Sequence, residues 1–177
     1  AAGLTAAGEA EQAALLAQMK VHFEVQPDGV AAFLDGQAVG SELRLESTGQ
    51  LASQLAAKPA IRAALLGFQR QFAADKDLVA DGRDMGTVVF PEAALKIVLE
   101  ASAKARANRR YKQLIAKGES VTLAALKNEI AERDARDRNR EVAPYVPAAD
   151  AVLIDTTDLS VDAVFEQVNA LFQARFF

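Results

Sequence analysis

Two rhythms of hydrophobic positions run along the chain. Leu4, Ala7, Ala14, Leu15 and Met19 return at helical spacing among Ala, Glu and Gln, which predicts a helix over 4–19. From Val21 the period drops to two, with Val21, Phe23 and Val25 alternating with His22, Glu24 and Gln26. Pro27-Asp28-Gly29 supplies turn chemistry, Val30 to Leu34 form a second run, and Asp35-Gly36 makes a second turn. The expected structure is an antiparallel hairpin with a third short strand near 38–39. Helices follow over 47–57 and 59–72. Lys58 precedes a proline, is therefore biased out of the helical region, and separates them. Pro59 suits a helix start, and Ile61, Leu65, Phe68 and Phe72 form one apolar stripe.

Beyond residue 77 the style changes. Short apolar runs at Leu78–Asp81, Leu95–Leu99 and Ala151–Asp155 alternate with helical patterns over 102–116, 122–139 and 160–174. Lys117-Gly118 ends the first of these helices, and Pro144 to Pro147 form a loop. Such alternation predicts parallel strands beneath crossover helices, hence an α/β fold. Phe68, Phe72 and Phe90 are expected in the core and His22 at the surface. There is no internal repeat and no low-complexity linker.

A length of 177 residues fits one α/β domain. At 51% hydrophobic and 25% charged, the composition excludes disorder, and the even spread of charge speaks against a membrane span. Twenty Lys and Arg against 24 Asp and Glu give a net charge of −4, so a phosphate site must come from local clustering of arginine. The absence of Cys removes disulfides, thiolate metal sites and Cys nucleophiles, and suits the cytoplasm. With a single histidine, His22, neither a His-based triad nor a multi-His zinc site is expected. The opening residues AAGLTAAGEAEQ have neither an initiator Met nor a basic region, so they read as the interior of a longer sequence rather than a signal peptide.

Three groups of residues carry candidate chemistry. In Asp81-Gly82-Arg83-Asp84, an acid ends a predicted buried strand ahead of a glycine turn, which is where open α/β sheets bind ligands. An Asp in that position holds Mg²⁺ in nucleoside triphosphatases, Arg83 suits a phosphate, and Asp84 can accept a bond from a base amine. The plain alternative is a polar turn with a surface ion pair. In the run from Arg133 to Arg140, Arg133, Asp137 and Arg140 lie at i, i+4 and i+7, while Arg136 points elsewhere, toward Glu132. Two cations flanking one anion suit a ligand with phosphate and hydroxyl groups. A solvated helix laced with ion pairs is the alternative; for RNA, interleaved aromatics are lacking and the total charge has the wrong sign. Arg106, Arg109 and Arg110 share a third face and need a counter-ion, from a polyphosphate, from Glu100 or from a neighbouring helix.

The segments DGRDMGTVVFP (81–91), RRYKQL (109–114), EIAERDARDRNREVAP (129–144) and PAADAVLIDTT (147–157) together resemble bacterial cytidylate kinases, nucleoside monophosphate kinases of the P-loop class. The resemblance implies a P-loop kinase-like parallel sheet flanked by helices, a small antiparallel β insert and a helical lid. On it, residues 1–177 are a single kinase domain, with a monophosphate-binding insert over 20–57, a core over 58–109 and 141–177, and a lid with its flanking helix over 110–140. It implies cytosine contacts from Ser53, Arg62 and Asp84, and ribose contacts from Arg133 and Asp137. Arg140 would grip the acceptor phosphate with Arg83 close by, Arg106 and Arg110 would neutralise the transferring phosphoryl with Arg83, Arg133 and Arg140 around it, and Asp81 would anchor Mg²⁺ through water. The implied reaction is transfer from ATP, with Mg²⁺, to CMP or dCMP, in a cytoplasmic monomer that engages neither nucleic acid nor membrane.

DGQAVGSELR (35–44) matches the family's insert, including Arg44, with Gly40 and Thr48 standing where Thr and Val are expected. The family's G-x-x-x-x-G-K-[GST] loop and the D-S-G-A-x-Y-R segment after it are absent, and no Gly-Lys pair occurs anywhere in the sequence. The expectation is therefore that these residues belong to a longer polypeptide carrying that strand and loop. The alternatives are a CMP-binding fragment without activity and, less favoured, a basic helix that docks RNA.

Overall fold

The computed structural model describes residues 8–27, 29–75, 77–139 and 141–177. The described residues form two compact units, one ending at Val79 and the other starting at Ala80.

The first unit opens with helix α1 (Glu9–Gln18), whose expected first residues lie outside the described ones. Strands β1 (Val21–Gln26), β2 (Gly29–Leu34) and β3 (Gln37–Val39) form the antiparallel sheet read from the period of two. Its register pairs Val21 with Leu34 and Ala32 with Val39. Asp35 at φ 50° and Gly36 at φ 81° both adopt the left-handed region that a two-residue hairpin turn needs to match strand twist. The expected turn residue Asp28 lies outside the described residues.

After a 3₁₀ turn (Ser41–Arg44) come α2 (Glu46–Leu55) and α3 (Pro59–Gln71), separated at Lys58, which is extended at ψ 122°. Helices α1 and α3 pack around Leu16 and Ile61, the latter only 1% exposed. Polar ties fix the pair: Lys58 Nζ donates to Gln12 Oε1 at 2.8 Å, and Ala60 N–H to Glu9 Oε1 at 3.0 Å. The second tie satisfies an orphan donor at the α3 N-terminus. Phe68 and Phe72, expected in the core, are only half-buried, as is Phe90 in the second unit. Phe72 meets Phe68 edge-on at 5.1 Å and Phe23 at 5.4 Å. Val25 and Val30 remain exposed on the small sheet, so few apolar groups close over this cluster. His22 is at the surface, as expected, stacked on Phe33 at 4.7 Å.

In the second unit, β4 (Ile97–Glu100) and β5 (Val152–Asp155) pair in parallel, Ile97 with Val152 and Glu100 with Asp155. Between them run α4 (Ala103–Ala116) and α5 (Leu123–Asn139), the crossover that parallel strands require, and α6 (Val161–Phe176) closes the chain. Each helix starts at a hydroxyl cap: Ser102, Thr122 and Ser160 accept the backbone N–H of Ala105, Ala125 and Ala163. Ala107, Leu114, Leu126 and Ile154 form the buried interior. Helix α4 ends with Gly118 at φ 79°, where Gly118 N–H reaches Ile115 O at 2.9 Å and Glu119 N–H reaches Leu114 O at 3.0 Å. That double bond pattern is a Schellman cap.

One expected strand is absent. Leu78–Asp81 is not a strand, and Val79 is 97% exposed. Among the described residues no ladder reaches this run, and backbone without a neighbouring strand cannot form sheet. Among the same residues no helix is long and apolar enough to cross a membrane.

Candidate active site

Asp84 is buried at the entrance to a single π turn, Met85–Val89. Its carbonyl accepts both Val88 N–H at 2.9 Å and Val89 N–H at 3.2 Å, the wide turn that often marks a functional position. Gly82 makes room for this turn: a Cβ there would lie 2.9 Å from Met85 Cε and Cγ. Asp81, just ahead, is exposed. Among the described residues no three His, Asp or Glu side chains gather to hold a metal. A lone carboxylate fits an ion that keeps most of its waters and arrives on phosphate, as Mg²⁺ does.

Arg83 leaves the same loop for α5. Its Nε lies 3.1 Å from Asp137 Oδ2, and Arg133, one helical turn before Asp137, places its Nε 4.0 Å from the same oxygen. Asp137 is nearly closed off from solvent, 5% exposed. The Arg83 guanidinium also sits over the Tyr145 ring at 5.6 Å, and Tyr145 N–H donates to Asp137 O at 2.8 Å. Among the described residues, two guanidinium groups face this one carboxylate, an arrangement that favours an anion. The sequence expectation that Arg133 and Asp137 share a face holds. Arg140, the third member of that face, lies outside the described residues.

The three arginines of α4 part company. Arg106 forks onto Asp134, with Nη1 2.9 Å from Oδ1 and Nη2 on Oδ2, while its Nε donates to Ala101 O at 3.2 Å. The counter-ion thus comes from the neighbouring helix. The hydrogen bond to Asp134 holds the Arg106 pKa above its ordinary value against the opposing cost of burial. Burial pushes Asp134 upward, but the hydrogen bond from Arg106 and the charges of Arg106, Arg138 and Arg83 outweigh it, and its pKa is lowered. Arg109 turns instead to the ends of the strands, donating to Thr156 Oγ1 at 3.1 Å and to the Thr156 carbonyl. Thr156 in turn donates to Glu100 O at 2.9 Å, so Arg109 is a structural tie. Arg110 is half-buried on α4.

In the first unit, Ser53 is buried in the last turn of α2, and Arg62 Nη1 donates to Ala56 O, at the end of that helix, at 3.3 Å. Sequence reasoning missed Asp134, Tyr145 and Thr156 as partners. Asp134 stands inside the Arg133–Arg140 run, and only the packing of α4 against α5 shows which arginine it serves.

A family model described as cytidylate kinase matches residues 2–174. The chain belongs to the cytidylate kinase family. A cytidylate kinase of Dichelobacter nodosus is 67% identical over 174 residues, covering 98% of this chain and 78% of that protein. One of Photobacterium profundum is 53% identical over 156 residues, covering 88% and 68%. One of Aliivibrio salmonicida is 52% identical over 161 residues, covering 91% and 72%. With this family comes the P-loop kinase fold. The parallel β4–β5 pair with its helical crossover is the portion of that fold seen in the second unit.

Proposed function

We propose that the protein transfers the γ-phosphoryl group of ATP to CMP or dCMP, forming the diphosphate. The observation that carries this reading is the buried Asp137 with Arg83 paired to it and Arg133 beside it, in a chain of the cytidylate kinase family.

Phosphoryl transfer needs positioning and neutralisation of charge more than a covalent residue. Arg83 and Arg140 bind the acceptor phosphate, and Arg133 with Asp137 holds the ribose hydroxyls. Asp84 accepts a hydrogen bond from the cytosine amine; the base contacts of Ser53 and Arg62 rest on the family resemblance alone. Arg106 and Arg110 neutralise the phosphoryl in flight, with Arg83, Arg133 and Arg140 around it. Asp81 would hold Mg²⁺ through water when the ion arrives with ATP, and the ion would supply neutralisation of the phosphate charge. Closure of the α4–α5 segment about Gly118 excludes water, which would otherwise accept the phosphoryl. The cysteine-free, acidic composition supports a cytoplasmic enzyme without nucleic-acid or membrane partners, and a monomer is part of the same proposal.

The test is competition. With CMP and UMP offered together to a polypeptide in which a family strand and phosphate loop precede these residues, CDP should form in large excess. Equal formation of UDP would contradict the assignment of the base.

A further inference from the structure

Arg106 is held at once by a carboxylate fork and a backbone carbonyl. Its fork to Asp134 uses one N–H on each Nη, and Nε is committed to Ala101 O. These three bonds leave two of the five N–H donors of an arginine that the fork does not use. The side chain is long and rotamer-rich, so an unheld Arg106 would have to be ordered during the reaction. A planar bidentate pair orders it beforehand, and groups fixed before charge develops are the ones that stabilise a transition state most. Asp134 is suited to the task. It projects from α5, one residue after Arg133, so a single turn of helix links the partner of Arg106 to the Arg133–Asp137 cluster.

We propose that Asp134 is the positioning residue for Arg106, fixing its guanidinium at the α4–α5 seam so that it enters phosphoryl transfer already ordered. The inference rests on the kinase reading above and on Arg106 acting at the phosphoryl. It makes Asp134 part of the reaction without contact to substrate.

Two measurements test it. In the active kinase, Asp134→Asn should lower kcat about tenfold, in the range of coupling between charged neighbours, with KM for CMP nearly unchanged. The same change made in an Arg106→Met background should lower kcat no further, and Asp134→Glu should recover part of the loss. Full kcat in Asp134→Asn, or an equal loss in both backgrounds, would overturn the proposal. The second measurement needs no turnover. In residues 1–177 the Arg106 Nη nitrogens should show restricted rotation by ¹⁵N NMR, and Asp134→Asn should release it. Rotation unchanged by that substitution would overturn the proposal even if the protein proved not to be a kinase. A protein that forms no CDP while Arg106 is released on substitution would refute the kinase reading alone.

Discussion

Asp84 and Asp137 are both buried carboxylates within reach of arginine-rich chemistry, yet they have different work to do. Asp84 faces a base in the proposed reaction: a cytosine amine donates to it, whereas a uracil carbonyl would set oxygen against oxygen. Asp84→Ala should therefore lose roughly 1.5–3 kcal/mol of discrimination between CMP and UMP, read as the ratio of their kcat/KM values. A ratio unchanged from the parent would remove Asp84 from base recognition. Asp137 instead pairs with Arg83 at 3.1 Å and faces Arg133 at 4.0 Å, and this gives a second test. Arg133 shares its helical face, while Arg138 is exposed on another. Arg133→Met should lower kcat/KM by ~10²-fold or more, by analogy with arginines on transferring phosphates, and Arg138→Met should leave stability within about 0.5 kcal/mol and activity near the parent's. Equal losses would contradict the face assignment. The i, i+4 relation of Arg133 and Asp137 was legible in the sequence because helical spacing is local. The pairing of Arg83 with Asp137, and of Arg106 with Asp134, was not, because each joins segments far apart in the chain.

At the scale of elements, the helices were legible because their signals are short-range. Ser102, Thr122 and Ser160 sit at helix starts and accept the N–H groups that a cap must satisfy, and Pro59 opens α3. The apolar run at Leu78–Asp81 shows the limit of the same reasoning. It has strand composition, but a strand exists only where another backbone lies beside it, and none does among the described residues. Gly118 is the element-scale test. It ends α4 at φ 79°, a conformation that costs a residue with a Cβ about 1–2 kcal/mol. Gly118→Val should lower Tm and, if the α4–α5 segment closes about this point, should also lower kcat. A variant with the parent's Tm would show that the left-handed cap is not under strain.

For the molecule as a whole, electrostatics set how it answers to acid. The Asp134 carboxyl has a lowered pKa in the fold; so do Asp150, through its hydrogen bond from Lys96, and Asp155, through Thr157. A carboxyl whose pKa is depressed on folding stabilises the native state above its unfolded value of about 3.9 and loses that contribution as pH falls through the folded value. Stability should thus fall on acidification from about pH 4 downward, and Asp134→Asn should flatten that decline in urea titrations. An acid limb identical in the variant would contradict the shift assigned to Asp134. The same arginine-centred electrostatics serve one reaction in the proposed account, and no Gly-Lys pair within these residues can cradle the ATP phosphates. The most direct test follows the label from γ-³²P ATP when CMP is supplied. Labelled CDP should form when a family strand and phosphate loop precede these residues, and none from the 177-residue polypeptide alone. Release of inorganic phosphate without CDP from the first, or robust CDP formation by the second, would contradict the proposed reaction.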